Sequence, residues 1–185
     1  MTSGNLFLVR HGETEWSASG RHTSRTDIDL TPLGEEQARN LSVRLDHPFA
    51  TVRCSPRLRA RRTAELAGLT VTEFDDDLAE WDYGDFEGLT SAEIHQLRPD
   101  WSLWTDGGPG GESPSDVERR IDRLLGTLRG EGDTLYIAHG HILRVVAARW
   151  LGLDVTASAL LALDPARICE LGFEHDRHVI RLWNG

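Results

Sequence analysis

The sequence predicts an α/β fold built on a mostly parallel sheet with helices on both faces. Short β-branched and aliphatic runs alternate with segments of helical periodicity along most of the chain. The dipeptide His-Gly follows two of those runs, one of them after a single arginine. The last two runs are joined by a short polar turn. No internal repeat and no linker-like segment interrupts the pattern, which predicts a single domain over residues 1–185.

The predicted strands are short apolar runs bounded by turn residues. They cover Leu6–Val9, Thr51–Cys54, Leu69–Phe74, Thr134–Ala138, Ile168–Phe173 and Val179–Trp183. The segment Glu174–Arg177 separates the last two runs and predicts a hairpin.

The predicted helices begin at cap residues or prolines. Thr31-Pro32 opens a helix that runs to about residue 46, and Pro56 opens one to about residue 67. Thr90–Glu93 and Ser115–Glu118 have the pattern of capping boxes. After the second box, apolar residues recur at helical spacing and predict a core face formed by Val117, Ile121, Leu124, Leu125 and Leu128. The last predicted helix covers residues 141–151. The glycine-rich segment 107–111 is predicted to be a flexible loop, which either borders a functional site or is simply a connection.

Composition and charge argue against several classes of function. A formal net charge of −10 disfavours nonspecific nucleic-acid binding, which depends on a cationic surface. No apolar stretch approaches the roughly 18 residues of a membrane span, and no basic segment precedes Leu6 as in a signal peptide, so the expected location is the cytoplasm. Cys54 and Cys169 fit no metal-binding spacing, and Cys54 is expected to be a small buried residue.

The tripeptide Arg10-His11-Gly12 comes directly after the first predicted strand. Open α/β sheets bind ligands at the carboxyl ends of their strands. Histidine can act there as a nucleophile, arginine suits a phosphate group, and glycine lets the backbone approach a ligand closely. A solvated arginine and a hydrogen-bonded histidine at an ordinary strand end remain the alternative for these three residues alone.

Further candidates lie at the ends of two other strands. The run Thr134–Ala138 ends at His139-Gly140-His141, where His139 would hold a phosphoryl oxygen. The helix after Cys54 carries Arg59 in its first turn, and a helix N-terminus at a strand end favours anions. The chain contains no lysine, so the abundance of arginine does not by itself indicate phosphate binding, and Arg59 is a candidate because of its position. Arg57, Arg61 and Arg62 are expected to be solvated or paired. Neither His-x-x-x-His spacing nor a cysteine partner is present, so no metal is predicted.

A proton donor for the leaving oxygen is also needed in phosphate chemistry. The segment 76–88 mixes carboxylates with aromatic residues. Glu80 is adjacent to Trp81, and a partly desolvated carboxyl suits a general acid. Composition alone does not separate Glu80 from Asp82, Asp85 or Glu87.

Four segments, in order along nearly the whole chain, resemble the histidine phosphatase superfamily, also called the phosphoglycerate-mutase-like family: LVRHGETEW, SPRLRARRTA, LAEWDYGDFEG and AHGH. The resemblance implies a three-layer α/β/α sandwich and phosphoryl transfer that needs neither metal nor cofactor. By position, His11 resembles the nucleophile that becomes phosphohistidine, and Glu80 resembles the general acid that then activates water. Arg10, Arg59 and His139 resemble the phosphate pocket of that family.

The segment after Glu80 indicates the branch of the family. Mutases of the family carry a longer basic insertion there, whereas here Arg98 is the one Lys or Arg between Arg62 and Arg119. Longer stretches of the chain are similar to sugar phosphatases, notably sedoheptulose-1,7-bisphosphatases. That similarity implies a set of substrate contacts: Ser17, Thr23, Ser24, Tyr83, Gly140 and Arg144, the last for a second phosphate. Ser17 departs from the asparagine common in the wider family but fits this branch. Arg25 stands where many relatives carry an apolar residue, so the details of substrate choice are not carried over from them.

The expected function is therefore hydrolysis of a small phosphorylated metabolite, a sugar phosphate or bisphosphate, through a phosphohistidine on His11. Three alternatives stay open at this point: a cofactor-dependent phosphoglycerate mutase, a phosphate-binding regulatory module without turnover, and a phosphoprotein phosphatase. Substrate identity, oligomeric state and pH optimum do not follow from the sequence.

Overall fold

A six-stranded sheet forms the centre of the computed structural model, which describes residues 4–128 and 132–185. Its strands are β1 (Leu6–Arg10), β2 (Thr51–Cys54), β3 (Glu73–Phe74), β4 (Thr134–Ala138), β5 (Ile168–Glu174) and β6 (Arg177–Leu182). Their order across the sheet is β3-β2-β4-β1-β5-β6. Strands β1 to β4 pair in parallel, and β5 and β6 form an antiparallel hairpin beside β1, so the sheet is mostly parallel as predicted.

Seven α-helices connect and cover the strands in the described part of the chain: α1 (Glu15–Ala18), α2 (Pro32–Arg44), α3 (Leu58–Leu66), α4 (Ser91–Leu97), α5 (Leu103–Asp106), α6 (Pro114–Gly126) and α7 (Gly140–Trp150). Short 3₁₀ turns lie at Asp76–Leu78, Gly84–Phe86 and Val155–Leu160. Among the residues described, no helix combines the length and apolar character that crossing a bilayer requires.

The helices form a layer on each face of the sheet. Because side chains alternate along a strand, β4 sends Leu135 and Ile137 to one face and Tyr136 and Ala138 to the other. The first pair packs with buried residues of α2 and α3, and the second pair with those of α6 and α7. The expected three-layer sandwich is confirmed, with one core on each side of the sheet.

Most predicted element types are confirmed, and three boundaries differ in ways that identifiable residues account for. The ends of several other elements shift by one or two residues, as where β6 begins at Arg177 rather than Val179. Only Glu73–Phe74 pairs as a strand within the predicted run 69–74. At Thr72 the backbone N–H still donates to the Val52 carbonyl, but the Val52 N–H donates to the Thr72 hydroxyl oxygen rather than to a backbone carbonyl. Helix α3 starts two residues after Pro56, where Asp27 caps the Leu58 N–H from a distant loop at 2.7 Å.

The third boundary is the start of α6. Its cap is Ser113 rather than Ser115, because Pro114 occupies the first helical position, where proline is favoured. The predicted core face is confirmed for Val117, Ile121 and Leu124, which are buried. Leu125 and Leu128 are partly buried against the same core, and Leu128 lies beyond the end of the helix. Cys54 is also fully buried, as expected.

The parallel pairing of β1 with β4 positions the site. Arg10 lies opposite Ala138 in the register, and the His11 N–H donates to the Ala138 carbonyl at 2.9 Å. The two His-Gly dipeptides therefore leave the sheet side by side at its carboxyl edge.

Candidate active site

A cavity of about 270 Å³ opens at the carboxyl ends of β1 and β4. Its wall includes three arginines and one carboxylate, so it is cationic in a chain of net charge −10. Such a local field attracts anionic ligands. The lining residues are Arg10, His11, Ser17, Gly20, Arg21, His22, Thr23, Glu80, Tyr83, Ser91, Gly140, His141, Arg144 and Leu163.

His11 presents one ring nitrogen to this cavity. Its Nδ1 lies 2.7 Å from the Gly12 carbonyl oxygen, and because a carbonyl only accepts, Nδ1 carries the proton. Burial lowers the pKa of His11 well below its ordinary value of 6.5, and the nearby charges of Arg59 and Arg10 lower it further. The neutral ring therefore keeps an unprotonated Nε2, which is the state a nucleophile requires.

Glycine at position 12 is required by close packing. A Cβ on Gly12 would lie 2.4 Å from the Gly34 carbonyl oxygen at the start of α2. The Gly12 N–H also donates to the Thr63 hydroxyl oxygen at 3.0 Å, which links the turn to α3. The carbonyl that orients His11 is thus held between two helices.

Arg10 lies across the neighbouring strand end. Its Nη1 donates to the Leu163 carbonyl at 2.5 Å, and a Cβ on Gly140 would come within 3.2 Å of the guanidinium carbon. Burial lowers the pKa of this guanidinium, and the charge of Glu80 opposes that shift. Its Nε is buried and has no hydrogen-bond partner among the described residues, while the side chain as a whole lines the cavity.

Arg59 and His139 lie behind His11 rather than on the cavity wall. Both side chains have no solvent-exposed surface, and the His139 ring packs against the His11 ring with centroids 5.2 Å apart. Arg59 Nε donates to His139 Nδ1 at 3.1 Å, so the proton of neutral His139 is on Nε2, 2.7 Å from the Ser55 hydroxyl. The other Arg59 donors reach the carbonyls of Thr23, Ser24 and Thr26. Direct phosphate contact by Arg59 and His139 stays a prediction; this geometry shows them setting the electrostatics of His11.

Glu80 lies at the N-terminus of α7. Its carboxyl accepts backbone N–H bonds from Trp81 and Ile142 at 2.9 Å and from His141 at 3.0 Å. These occupy three of the roughly four acceptor positions of a carboxylate, which leaves one for a substrate or water proton. Of the four carboxylates that composition left open, Glu80 is the one on the cavity wall in the described chain.

Two of the other acids have partners elsewhere, and Asp85 is exposed. Glu87 accepts from the backbone N–H groups of Ser24 and Thr26, and Asp82 pairs with Arg25. Arg62 pairs with Glu65 and Glu35 on the surface, as expected for an arginine outside the site.

The predicted substrate contacts divide into two groups. Ser17, Thr23, Tyr83, Gly140 and Arg144 line the cavity. Ser24 is buried and donates to the Glu80 carbonyl at 3.2 Å, so it supports the segment carrying Glu80. The glycine-rich loop packs against the Tyr83 backbone, where a Cβ on Gly108 would lie 2.4 Å away, and it supports the wall without lining it.

Arg144 is held in a fixed orientation. Its guanidinium lies 4.4 Å from the centroid of the Trp104 ring, and its Nε and Nη2 donate to the carbonyls of Ser158 and Ala159. Burial lowers its pKa, while the charge of Glu80 opposes the shift. It is a second cation on the wall beside Arg10.

Six wall residues were absent from the predicted contacts: Gly20, Arg21, His22, Ser91, His141 and Leu163. His141 comes directly after the second His-Gly dipeptide, so its position was available as a signal. Arg21 donates to the Gly88 carbonyl at 2.7 Å, and an isolated bridge pairs Arg21 with Thr90. Leu163 lies at the cavity with its carbonyl bonded to Arg10, which is 153 residues away in the chain, so no local pattern predicts its position. Ser91 lies at the cavity as the first residue of α4.

The family-level resemblance is confirmed by comparison with known proteins. The profile of the histidine phosphatase superfamily, branch 1, matches residues 6–185. The chain therefore belongs to this family, and it carries the sandwich that the sequence predicted.

Two relatives and one solved structure show how similar the known members are. An acid phosphatase of Mycobacterium tuberculosis is 44% identical over 178 residues, covering 92% of this chain and 87% of the relative. A sedoheptulose 1,7-bisphosphatase of Saccharomyces cerevisiae is 37% identical over 184 residues, covering 80% and 68% respectively. The solved structure of an open reading frame from Mycobacterium tuberculosis superposes with a TM-score of 0.92 at 42% identity, covering 98% of this chain and 97% of that one.

Proposed function

We propose that this protein is a phosphomonoesterase that hydrolyses small phosphorylated metabolites, sugar phosphates or bisphosphates, through a phosphohistidine on His11. The observation that carries this proposal is the orientation of His11, whose Nδ1–H is held by the Gly12 carbonyl so that unprotonated Nε2 is left for a cationic cavity. Family membership and the two phosphatase names among its relatives support the same reaction class.

In the first step His11 Nε2 attacks phosphorus. The N–P bond forms as the bond to the ester oxygen breaks, and the Glu80 carboxyl gives its proton to the departing alkoxide. Arg10 neutralises charge on the phosphoryl oxygens, which is the main contribution a protein makes to phosphoryl transfer. Behind the His11 ring, the charge of Arg59 helps to keep that ring neutral, and His139 packs against it.

In the second step water attacks the phosphohistidine. Glu80, now a carboxylate, takes a proton from the water as the new O–P bond forms and the N–P bond breaks. His11 returns to its neutral form, and inorganic phosphate leaves. One residue thus serves first as acid and then as base.

The size and charge of the cavity indicate the substrate class. Its volume of about 270 Å³ suits a small metabolite and is at the low end of ligand pockets. Arg144 and Arg21 add positive charge to the same wall as Arg10, which supports a second phosphate or another anionic group. The yeast relative is named for such a bisphosphate.

The test is phosphate release by purified protein in EDTA. The substrates are sedoheptulose 1,7-bisphosphate, fructose 1,6-bisphosphate, 3-phosphoglycerate and a phosphopeptide. His11→Ala removes the proposed nucleophile, and His175→Asn is the matched control, since His175 is exposed in the β5–β6 turn with a φ of 55° that asparagine tolerates.

Turnover of a sugar bisphosphate that is lost in His11→Ala and kept in His175→Asn would support the proposal. Release from the phosphopeptide alone would redirect it toward protein substrates. Conversion of 3-phosphoglycerate to its isomer without phosphate release would identify a mutase. No reaction with any compound would contradict the bisphosphatase assignment.

A further inference from the structure

Two histidines of the cavity wall, His22 and His141, have no part in the proposed phosphoryl-transfer steps. Their rings are nearly parallel, with an interplanar angle of 8° and centroids 5.8 Å apart. Both rings also pack edge-on against Tyr83, at 4.8 and 5.7 Å. The hydrogen bonds around each ring define which nitrogen carries a proton.

His22 presents an acceptor. Its Nδ1 lies 2.9 Å from the Leu89 carbonyl oxygen, so Nδ1 carries the proton and donates it. Burial lowers the pKa of His22 below 6.5, which keeps the ring neutral near pH 7. The Nε2 of a neutral ring in this tautomer is an unprotonated acceptor, and His22 is a cavity-lining residue.

His141 presents a donor. Its Nδ1 lies 2.6 Å from the Tyr83 hydroxyl oxygen, and that hydroxyl has no other partner among the described residues. Burial, reinforced by the charge of Glu80, raises the pKa of Tyr83 well above 10, so the phenol keeps its proton. His141 Nδ1 is the one acceptor within hydrogen-bond distance of that hydroxyl in the described chain, so the phenol donates to it. Burial also lowers the pKa of His141 well below 6.5. The neutral His141 ring therefore carries its proton on Nε2.

We propose that His22 and His141 bind two neighbouring hydroxyl groups on the carbon chain of the substrate, His22 Nε2 accepting from one and His141 Nε2–H donating to the other. This inference rests on the proposed function, since the phosphoryl group of the same molecule lies at His11. An unprotonated nitrogen such as His22 Nε2 does not attract a phosphate oxygen, because neither atom brings a proton. A hydroxyl group supplies that proton and also accepts from His141, so a polyol matches both rings.

The consequence is discrimination by hydroxyl groups rather than by charge. A buried polar site that loses its hydroxyl partner is left with unpaired groups, and such sites reject the analogue that lacks the hydroxyl strongly. His22 and His141 are therefore specificity-determining residues, and Tyr83 is a positioning residue that selects the tautomer of His141.

The experiment compares two substrates with the same carbon skeleton. Glycerol 3-phosphate carries a vicinal diol, and n-propyl phosphate carries none. We expect the wild-type protein to prefer glycerol 3-phosphate by roughly tenfold or more in kcat/KM. In His22→Phe and in His141→Phe, which keep an aromatic ring in place, the preference should fall to within about threefold, the loss expected for one removed hydrogen bond.

Two further variants separate recognition from structural damage. His22→Gln supplies a side-chain oxygen as acceptor and should restore part of the preference. Tyr83→Phe removes the donor that selects the His141 tautomer and should lower the preference less than His141→Phe does. A ratio of kcat/KM values is compared throughout, so a variant that is only less stable lowers both rates and leaves the ratio unchanged.

Binding provides a readout without turnover. Calorimetry with His11→Ala protein measures the affinity for glycerol 3-phosphate and for n-propyl phosphate. A hydroxyl preference in binding without hydrolysis by the wild type would contradict the proposed function and keep the diol site. The inference would be overturned if the wild type had equal kcat/KM values for the two compounds, or if the preference were unchanged in both phenylalanine variants.

Discussion

The substitution Gly140→Ala tests whether the placement of Arg10 controls catalysis. Gly140 is the first residue of α7 and is not among the glycines with a left-handed backbone, so alanine can adopt its conformation. The added Cβ would lie 3.2 Å from Arg10 Cζ and Nε and 3.4 Å from Nη1. Arg10 is held on its other side by the Leu163 carbonyl at 2.5 Å, so the methyl group displaces the guanidinium by a few tenths of an ångström.

The size of that displacement sets the size of the effect. A misplacement of about 1 Å in a positioned group costs on the order of 100-fold in rate, so a shift of roughly 0.3 to 0.5 Å predicts a loss of about 4- to 10-fold in kcat/KM. Stability should change in the opposite direction, because alanine is better than glycine in a helix by up to about 1 kcal/mol. Lower activity in a protein at least as stable excludes unfolding as the cause.

The assay measures kcat/KM for the best sugar phosphate and the free energy of unfolding in urea. Gly126→Ala is the matched control, since Gly126 ends α6 and a Cβ there would meet nothing within 4 Å. It should gain stability and keep its kcat/KM. An unchanged kcat/KM in Gly140→Ala, or an equal loss in both variants, would refute the reasoning.

Three other predictions concern the acid, the buried histidines and the second cation. Glu80→Gln should lower kcat/KM for alkyl phosphates by about 10²- to 10⁴-fold and for p-nitrophenyl phosphate much less, because that leaving group needs no proton; equal losses would argue against a general acid. Burial lowers the pKa values of His11, His139 and His141 well below 6.5, so the unfolded chain binds protons first on acidification. The free energy of unfolding in urea should then fall by about 1.4 kcal/mol per histidine between pH 7.5 and 5.5, and a constant value would contradict this. Arg144→Ala should cost about 10- to 100-fold in kcat/KM for a bisphosphate and less for its monophosphate, and equal costs would place the second phosphate elsewhere.

Much of the fold was predictable because its signals are local. Both ends of strand β4 were predicted correctly, since the apolar run Thr134–Ala138 is short and stops at the polar residue His139. Helix α2 has its cap and proline at Thr31 and Pro32, both of which act within the first turn. The start of α3 was not predictable, since the carboxylate that caps it belongs to Asp27, which is 31 residues away in the chain.

The site shows the same division. The residues at strand ends, Arg10, His11 and Gly140, are predictable from the pattern, because parallel strands bring their carboxyl ends together. Sequence patterns do not show that Arg59 bonds backbone carbonyls and His139 rather than facing the cavity. Nor do they show that His22, which lies at the end of no strand, reaches the wall through its bond to the Leu89 carbonyl.

The most direct test of the central claim is a search for phosphohistidine on His11. The protein is mixed with a ³²P-labelled sugar phosphate, quenched in alkali within milliseconds to seconds, digested and mapped by mass spectrometry. The account predicts an acid-labile, alkali-stable phosphate on the peptide containing His11, which forms and decays at rates that match turnover and is absent in His11→Ala. Steady release of phosphate with no label on His11, or with His11→Ala still active, would contradict it.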